Sequence, residues 1–427
     1  MRIGLLGCGN VGASFVQLID ARRADIAKRT GLDLVVTRIA VRSITKDRPV
    51  AIDASVFTTD ASSVVHDPEV DLVVEVIGGV EPARELILDA LKAGKPVITG
   101  NKELLANYGT ELFAAADTAG VDLLFEAAVA GGIPLMRPLR ESLLGEPINR
   151  VMGIVNGTTN YILTRMTEAG ASYHDALAEA QQLGYAERDP TADVEGYDAG
   201  AKIAIIAMIA FGARVVAGDV YHEGISDITE SDIAVASRLG YRIKLLGVAE
   251  LFGDAEHPEI AVRVHPAMVP VHHPLAAVRD SFNAVFIEGS AVGDLMLYGR
   301  GAGGLPTASA VLGDVIDAAM NLRQGTHAAI GQFARTTIRS IDELSSAFYL
   351  SVEVADRPGV LARVADAFGR HGVSIRSMEQ EGLGTEARLL FITHIATERD
   401  VRATLRELRE LDVVDRVGSV LRVVGRS

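Results

Sequence analysis

The 427-residue chain has one cysteine, Cys8, and no tryptophan. A single thiol cannot close an intrachain disulfide or build a cysteine zinc knuckle, so neither stabilises the fold. Long apolar runs are missing as well. The most tempting stretch, residues 203–213, falls far short of the roughly 20 apolar residues a membrane span needs and is bounded by Lys202 and Arg214. The apolar run after Arg2 stops at Gly7-Cys8-Gly9, so no secretory signal is expected, and the expected compartment is the cytoplasm. Basic excess is absent too. Lys+Arg 41 against Asp+Glu 56 leaves a net charge of -15, which disfavours a nucleic-acid partner but leaves room for a small phosphate-bearing ligand.

What remains is an ordinary globular composition, 48% hydrophobic and 23% charged, long enough for two to three domains. Over residues 1–130 short apolar runs alternate with amphipathic stretches, the pattern of βαβ units around a parallel sheet. Strands are expected at 2–6, 34–41, 71–77, 96–99 and 121–125, with helices over 11–28, 82–93 and 103–119. Residues 131–300 read as an α+β domain, with helices over 198–211 and 230–246. A glycine-rich turn and a helix within about 301–340 are expected to complete the first domain. Residues 344–427 show a βαββαβ order, the pattern of a separable ferredoxin-like unit.

Gly7-Cys8-Gly9-Asn10-Val11-Gly12 is a G-x-G-x-x-G between a strand and a helix. Gly7, Gly9 and Gly12 permit the tight turn, and Asn10 and Val11 open the helix whose N-terminus would receive a pyrophosphate, as in a Rossmann-type dinucleotide-binding domain. The second strand ends at Arg42 with no carboxylate beside it. An arginine there suits a 2′-phosphate, and one charge-assisted hydrogen bond contributes about 1.5–3 kcal/mol, roughly 10- to 150-fold in affinity. NADP(H) is therefore expected in preference to NAD(H), the alternative being a solvated loop arginine. Thr99 and Lys102 follow a later strand and should face the nicotinamide end of the cleft, unless Lys102 is simply a helix-start lysine in water.

Charged residues crowd residues 184–202 just before an apolar helix. Asp198 and Lys202 stand at i and i+4 on one helix face. Ile203, Ile205, Ile206, Met208 and Ile209 leave that helix little polar surface, so the lysine sits at the mouth of a buried helix, suited to proton exchange with an alcohol or carbonyl oxygen. Spacing alone leaves a structural ion pair equally open. Residues 156–160 offer amide, hydroxyl and backbone donors, or an ordinary helix start. His265, His272 and His273 lack the spacing of a metal site.

This order of motifs resembles homoserine dehydrogenase with a C-terminal ACT domain, nearly end to end and most specifically at residues 184–202 and 283–310, including Asn283-Ala284-Val285 and Tyr298-Gly299-Arg300-Gly301-Ala302-Gly303. The resemblance implies interconversion of L-aspartate 4-semialdehyde and L-homoserine on the route to threonine and methionine, within an α+β domain that also serves dimerisation. It implies that Glu187 and Asp198 bind the substrate, that Lys202 donates the proton and that Lys102 is a second candidate acid. Thr158 and Tyr185 would line the substrate pocket, Asp193 would be a supporting carboxylate, and Gly184 and Gly303 would reach the cofactor. Residues 126–133 resemble the family's sodium loop, which implies a structural Na+ at Glu126, Val129, Gly131 and Ile133. Asp356-Arg357-Pro358-Gly359 resembles the turn of an ACT module. That implies a homodimer or homotetramer and inhibition by L-threonine, with a purely oligomerising module as the alternative. Because the first strand starts at residue 2, a monofunctional enzyme without a preceding kinase domain is expected.

Overall fold

The computed structural model describes residues 1–46, 48, 52–254, 256–331, 333–382 and 386–425. Strand β1 (Arg2–Leu6) runs buried into the glycine turn, and α1 (Asn10–Thr30) leaves it. There follow β2 (Val35–Ala40), β3 (Phe57–Thr58), α2 (Ala61–Val65), β4 (Leu72–Glu75), α3 (Ala83–Lys92), β5 (Val97–Thr99), α4 (Lys102–Ala119) and β6 (Leu123–Leu124). All six strands are parallel, in the order β3-β2-β1-β4-β5-β6. β4 is buried on both faces, as a sheet covered by helices on both sides requires. Strand order reverses between β1 and β4, which opens a crevice beyond their carboxyl ends.

The next region holds β7 (Ile148–Ile154), α5 (Gly157–Ala169), α6 (Tyr173–Gln182), α7 (Thr191–Val194), α8 (Tyr197–Phe211), β8 (Tyr221–His222), α9 (Glu230–Arg238), β9 (Tyr241–Gly253), β10 (Pro258–Pro270), β11 (Phe282–Gly289) and β12 (Gly293–Arg300). The single helix expected over 230–246 is not there. α9 ends at Arg238, Gly240 turns the chain at a φ of 83°, and β9 begins at Tyr241. Residues 243–249, Lys244 included, are buried on both faces of their strand, so their largely apolar run carries no period to separate strand from helix. α8 lies against β9, where a Cβ on Gly247 would come within 3.3 Å of the Ile203 Cβ. Ile203, Ile205, Ile206 and Met208 are at most 1% exposed, and full burial of such side chains contributes about 1.5–3 kcal/mol each.

The long helix α10 (Gly304–Gln324) returns to the first sheet, where Val311, Val315 and Ala318 share a core with Phe15, Ile19, Leu5 and Val74. After β13 (Thr337–Ile338) come β14 (Ser345–Ala355), α11 (Val360–Arg370), β15 (Ile375–Gly382), β16 (Glu386–Thr393), β17 (Ala396–Thr397), α12 (Glu398–Glu410) and β18 (Val414–Val423). This unit has its own core around Phe348, Phe368 and Phe391, but it does not stand apart. β18 pairs in parallel with β10 through Ala267↔Arg422 and Met268↔Val423. One sheet therefore runs β12-β11-β7-β9-β10-β18-β14-β16-β15.

Candidate active site

The glycine turn lies at the mouth of the crevice. Gly7 has a φ of 99°, and a Cβ there would sit 2.8 Å from the Val76 carbonyl oxygen. A Cβ on Gly12 would sit 2.2 Å from the Gly7 carbonyl oxygen, so the turn closes only with glycine at both positions. Gly9 and Asn10 are exposed, Val11 is half-buried, and no acidic side chain occupies the first turn of α1. The N-terminal amides of a long helix are left open to an anion. Gly303, at a φ of 117°, starts α10 beside this turn, where a Cβ on Gly304 would meet the Ser14 Oγ at 2.6 Å.

Arg42 is exposed at the end of the second strand. Sequence reasoning missed Arg48, which folds back over this loop. Its Nε donates to the Cys8 carbonyl at 3.3 Å, and Nη1 and Nη2 donate to the Lys46 and Ser43 carbonyls at 2.8 and 2.7 Å. Cys8 is buried, and burial pushes its thiol up, which makes it a packing residue and a poor nucleophile.

At the ends of β4 and β5, Glu75 is fully buried, accepting from the Thr99 Oγ1 at 2.6 Å and from the Ile77 and Gly78 amides at 2.8 and 3.1 Å. Thr99 Oγ1 in turn accepts from the Asn101 amide, and the Asn101 side chain caps α4 through the Leu104 amide at 3.1 Å. Lys102 is thereby fixed as the first residue of α4. Glu75 also escaped sequence reasoning, although a carboxylate ending an otherwise apolar strand was the available signal.

Lys102 reaches across the crevice to Asp198 Oδ1 on α8. Lys202 Nζ donates to Asp198 Oδ2 at 2.6 Å and to the Val155 carbonyl at 2.8 Å. Asn156 caps α5 and donates from Nδ2 to Asp193 Oδ1 at 2.6 Å and to Asp198 Oδ2 at 2.9 Å. The Asp198 side chain is 8% exposed. Burial alone would raise its carboxyl, but Lys202 and Lys102 outweigh that and hold it well below the usual carboxylate range. For Lys202 burial wins, with repulsion from Lys102 assisting, and the ammonium lies below its ordinary value despite Asp198. Lys102 is 43% exposed, so attraction to Asp198 outweighs its desolvation and raises it. Burial, and then the charge of Asp198, raise Asp193 against the hydrogen bonds from Asn156 and Thr158.

Thr158 Oγ1 donates to the Tyr185 carbonyl at 2.7 Å, and the exposed Tyr185 ring packs on Tyr161 at 5.0 Å. Gly184, at a φ of 76°, and Glu187 lie on the same exposed turn. The structure thus gathers Lys102, Lys202, Asp193, Asp198 and Thr158. The Glu187 side chain makes no hydrogen bond or ion pair among the described residues and remains outside that cluster.

The loop 126–133 tests the cation reading. The Glu126 carboxylate accepts from the amides of Leu135, Met136 and Arg137 at 2.5, 2.8 and 2.9 Å, so its charge is already satisfied. Among the described residues no hydrogen bond ends on the carbonyl oxygens of Val129, Gly131 or Ile133. The donors that fit a hard monovalent cation are therefore main-chain carbonyls. Gly131 presses on the 300–306 turn so closely that a Cβ would lie 2.2 Å from the Gly301 carbonyl oxygen.

A glycine-turn dinucleotide fold facing a buried lysine–carboxylate cluster defines a nucleotide-dependent oxidoreductase. The family model described as homoserine dehydrogenase, NAD binding domain, matches residues 7–126, that described as homoserine dehydrogenase matches 134–316, and an ACT domain matches 348–413. The homoserine dehydrogenase of Corynebacterium glutamicum is 50% identical over 99% of this chain and 95% of its own, and that of Bacillus subtilis is 41% identical over 100% and 98%. The crystal structure of a homoserine dehydrogenase from Thiobacillus denitrificans superposes with a TM-score of 0.93 at 41% identity, covering 99% of this chain and 98% of that one. A hyperthermophilic archaeal homoserine dehydrogenase in complex with NADPH aligns at 29% identity and a TM-score of 0.63, over 75% of this chain and 98% of its own. The chain belongs to the homoserine dehydrogenase family. Among the described residues no helix is long and apolar enough to cross a membrane.

Proposed function

We propose that this cytoplasmic enzyme interconverts L-aspartate 4-semialdehyde and L-homoserine on the route to threonine and methionine, using NADP(H) in preference to NAD(H). The observation that carries this reading is Lys202, buried at the crevice between Asp198 and the Val155 carbonyl. The bound nicotinamide supplies or accepts the hydride. The chain's own residues orient the substrate and move the proton. Lys202 exchanges a proton with the substrate's C4 oxygen, and Asp198 holds the ammonium in place. Lys102 adds positive charge on the opposite wall and is the second candidate acid. Thr158, Tyr185 and Asp193 line the substrate side, and Glu187, on the exposed turn, binds with Asp198 the substrate's amino-acid end or reacting oxygen. Gly7, Gly9, Asn10, Val11 and Gly12 receive the pyrophosphate, Gly184 and Gly303 flank the cofactor, and Arg42 meets the 2′-phosphate, whereas Thr99, fully buried against Glu75 and the Asn101 amide, braces the turn behind the cofactor and does not touch it. The archaeal relative's NADPH supports that preference.

A structural Na+ is assigned to Glu126, Val129, Gly131 and Ile133 through main-chain carbonyls, with the Glu126 carboxylate bracing the loop. The ACT match supports an amino-acid effector, and the reading makes that effector inhibitory L-threonine acting on a homodimer or homotetramer. The test is absorbance at 340 nm with L-homoserine and NADP+ or NAD+, with and without L-threonine. Homoserine-dependent reduction, faster with NADP+ and suppressed by L-threonine, is expected. No reduction by folded protein that still binds either dinucleotide overturns the reading.

A further inference from the structure

A cavity of about 450 Å³ lies away from the dinucleotide crevice, where α12 and β18 face β8. Arg402, Arg406, Arg409 and Arg422 line it against two acidic residues, Glu223 and Glu398, in a chain whose net charge is -15. The four arginines divide into two kinds. Arg422 is 5% exposed and saturated: Nη1 and Nη2 donate to Glu223 at 2.6 and 2.9 Å, and Nε donates to Glu398. Arg402 is held by Asp342 at 3.1 Å and by the Tyr221 hydroxyl at 2.8 Å. The available carboxylates are thus committed behind the cavity. Arg406 and Arg409 stand three residues apart on α12, exposed, with no hydrogen bond or ion pair among the described residues.

A lone arginine at a helix C-terminus needs no ligand, because it already offsets the helix dipole. Two unpaired guanidinium forks lining a walled cavity, backed by two neutralised arginines, make an anion receptor. Planar forks match phosphate oxygens bidentately, and the two unpaired guanidinium groups face the two negative charges of a dianion. We propose that this cleft binds a phosphate dianion, free or carried as a small monoester, through Arg406 and Arg409 with Arg402 behind them. The volume exceeds what phosphate alone fills, and Phe348 and Leu405 offer an apolar wall for the body of a monoester.

The test is calorimetric titration of the full chain with inorganic phosphate and, separately, O-phospho-L-serine, at fixed ionic strength with NADP+ saturating the glycine turn. Wild type should bind saturably at one site per chain, and the Arg406→Ala/Arg409→Ala double variant roughly tenfold or more weakly. Tighter binding of phosphoserine identifies a monoester as the ligand, and no advantage over phosphate identifies the free ion. Circular dichroism melting confirms that the variant is folded. Absence of saturable binding of either anion to wild type, or equal affinity in the folded double variant, overturns the proposal.

Discussion

Lys102 and Lys202 share one carboxylate, each meeting a different oxygen of Asp198. The two lysines come from opposite walls of the crevice, one at the start of α4 and the other on α8. Their environments push them apart electrostatically. Partly exposed Lys102 is raised by the shared charge, whereas buried Lys202 stays below the ordinary amine value. An ammonium of lowered pKa gives up its proton more readily, so the buried lysine is the better proton carrier near neutral pH.

Lys202→Ala should therefore lower the rate constant for homoserine oxidation by about 10²–10⁴-fold, with dinucleotide affinity little changed. Steady-state kinetics and fluorescence titration with NADPH check both halves. A loss below tenfold would move the proton role to Lys102.

Removing the shared charge has a signed effect. Asp198 raises the Lys202 pKa, so Asp198→Asn lets burial and Lys102 lower it further. Homoserine oxidation needs the neutral amine, and the rising limb of its kcat/KM profile should move to lower pH in Asp198→Asn. A limb that stays in place would mean that another group titrates there.

The loop arginines separate through cofactor choice. Arg42→Ala should raise the KM for NADP+ by roughly 10- to 150-fold and leave that for NAD+ unaltered. Arg48→Ala releases the Cys8, Lys46 and Ser43 carbonyls that the guanidinium ties together, so it should weaken both dinucleotides. Parallel KM measurements with the two cofactors distinguish these outcomes.

Lys244 gives a pH dependence of stability away from the crevice. It is 5% exposed, donates to Asn160 Oδ1 at 3.0 Å and to the Val278 carbonyl at 2.5 Å, and burial lowers its ammonium from 10.5 to about 8. Between those values the unfolded chain binds more protons, so stability rises with pH through that window, and the full cost is present below it. Urea unfolding should show wild type gaining roughly 3 kcal/mol over Lys244→Met between pH 7 and 10.5. A pH-independent difference would refute the buried-ammonium cost.

The features legible in the sequence are local. The glycine turn, the βαβ alternation and the Asp198–Lys202 face depend on spacings of a few residues, and the turn and helix form at those positions. The contact from Lys102 to Asp198 spans the crevice and leaves no sequence period, so each lysine could be singled out but not their joining. Arg48 reaches Cys8 from forty residues away for the same reason. β9 was unreadable because burial on both faces erases alternation. The fusion of the last strand to β10 depends on two residue pairs distant in sequence.

That fusion also sets an order of assembly. A ribosome delivers β10 long before β18, and until the tail emerges the edge at Ala267 and Met268 lacks its neighbour. Unpaired edges recruit other chains, and folding units generally complete from the N-terminus as they are made. The nascent protein holds that two-residue edge open through the synthesis of its final segment, and truncation before β18 leaves a bare stretch of strand edge as well as a missing domain.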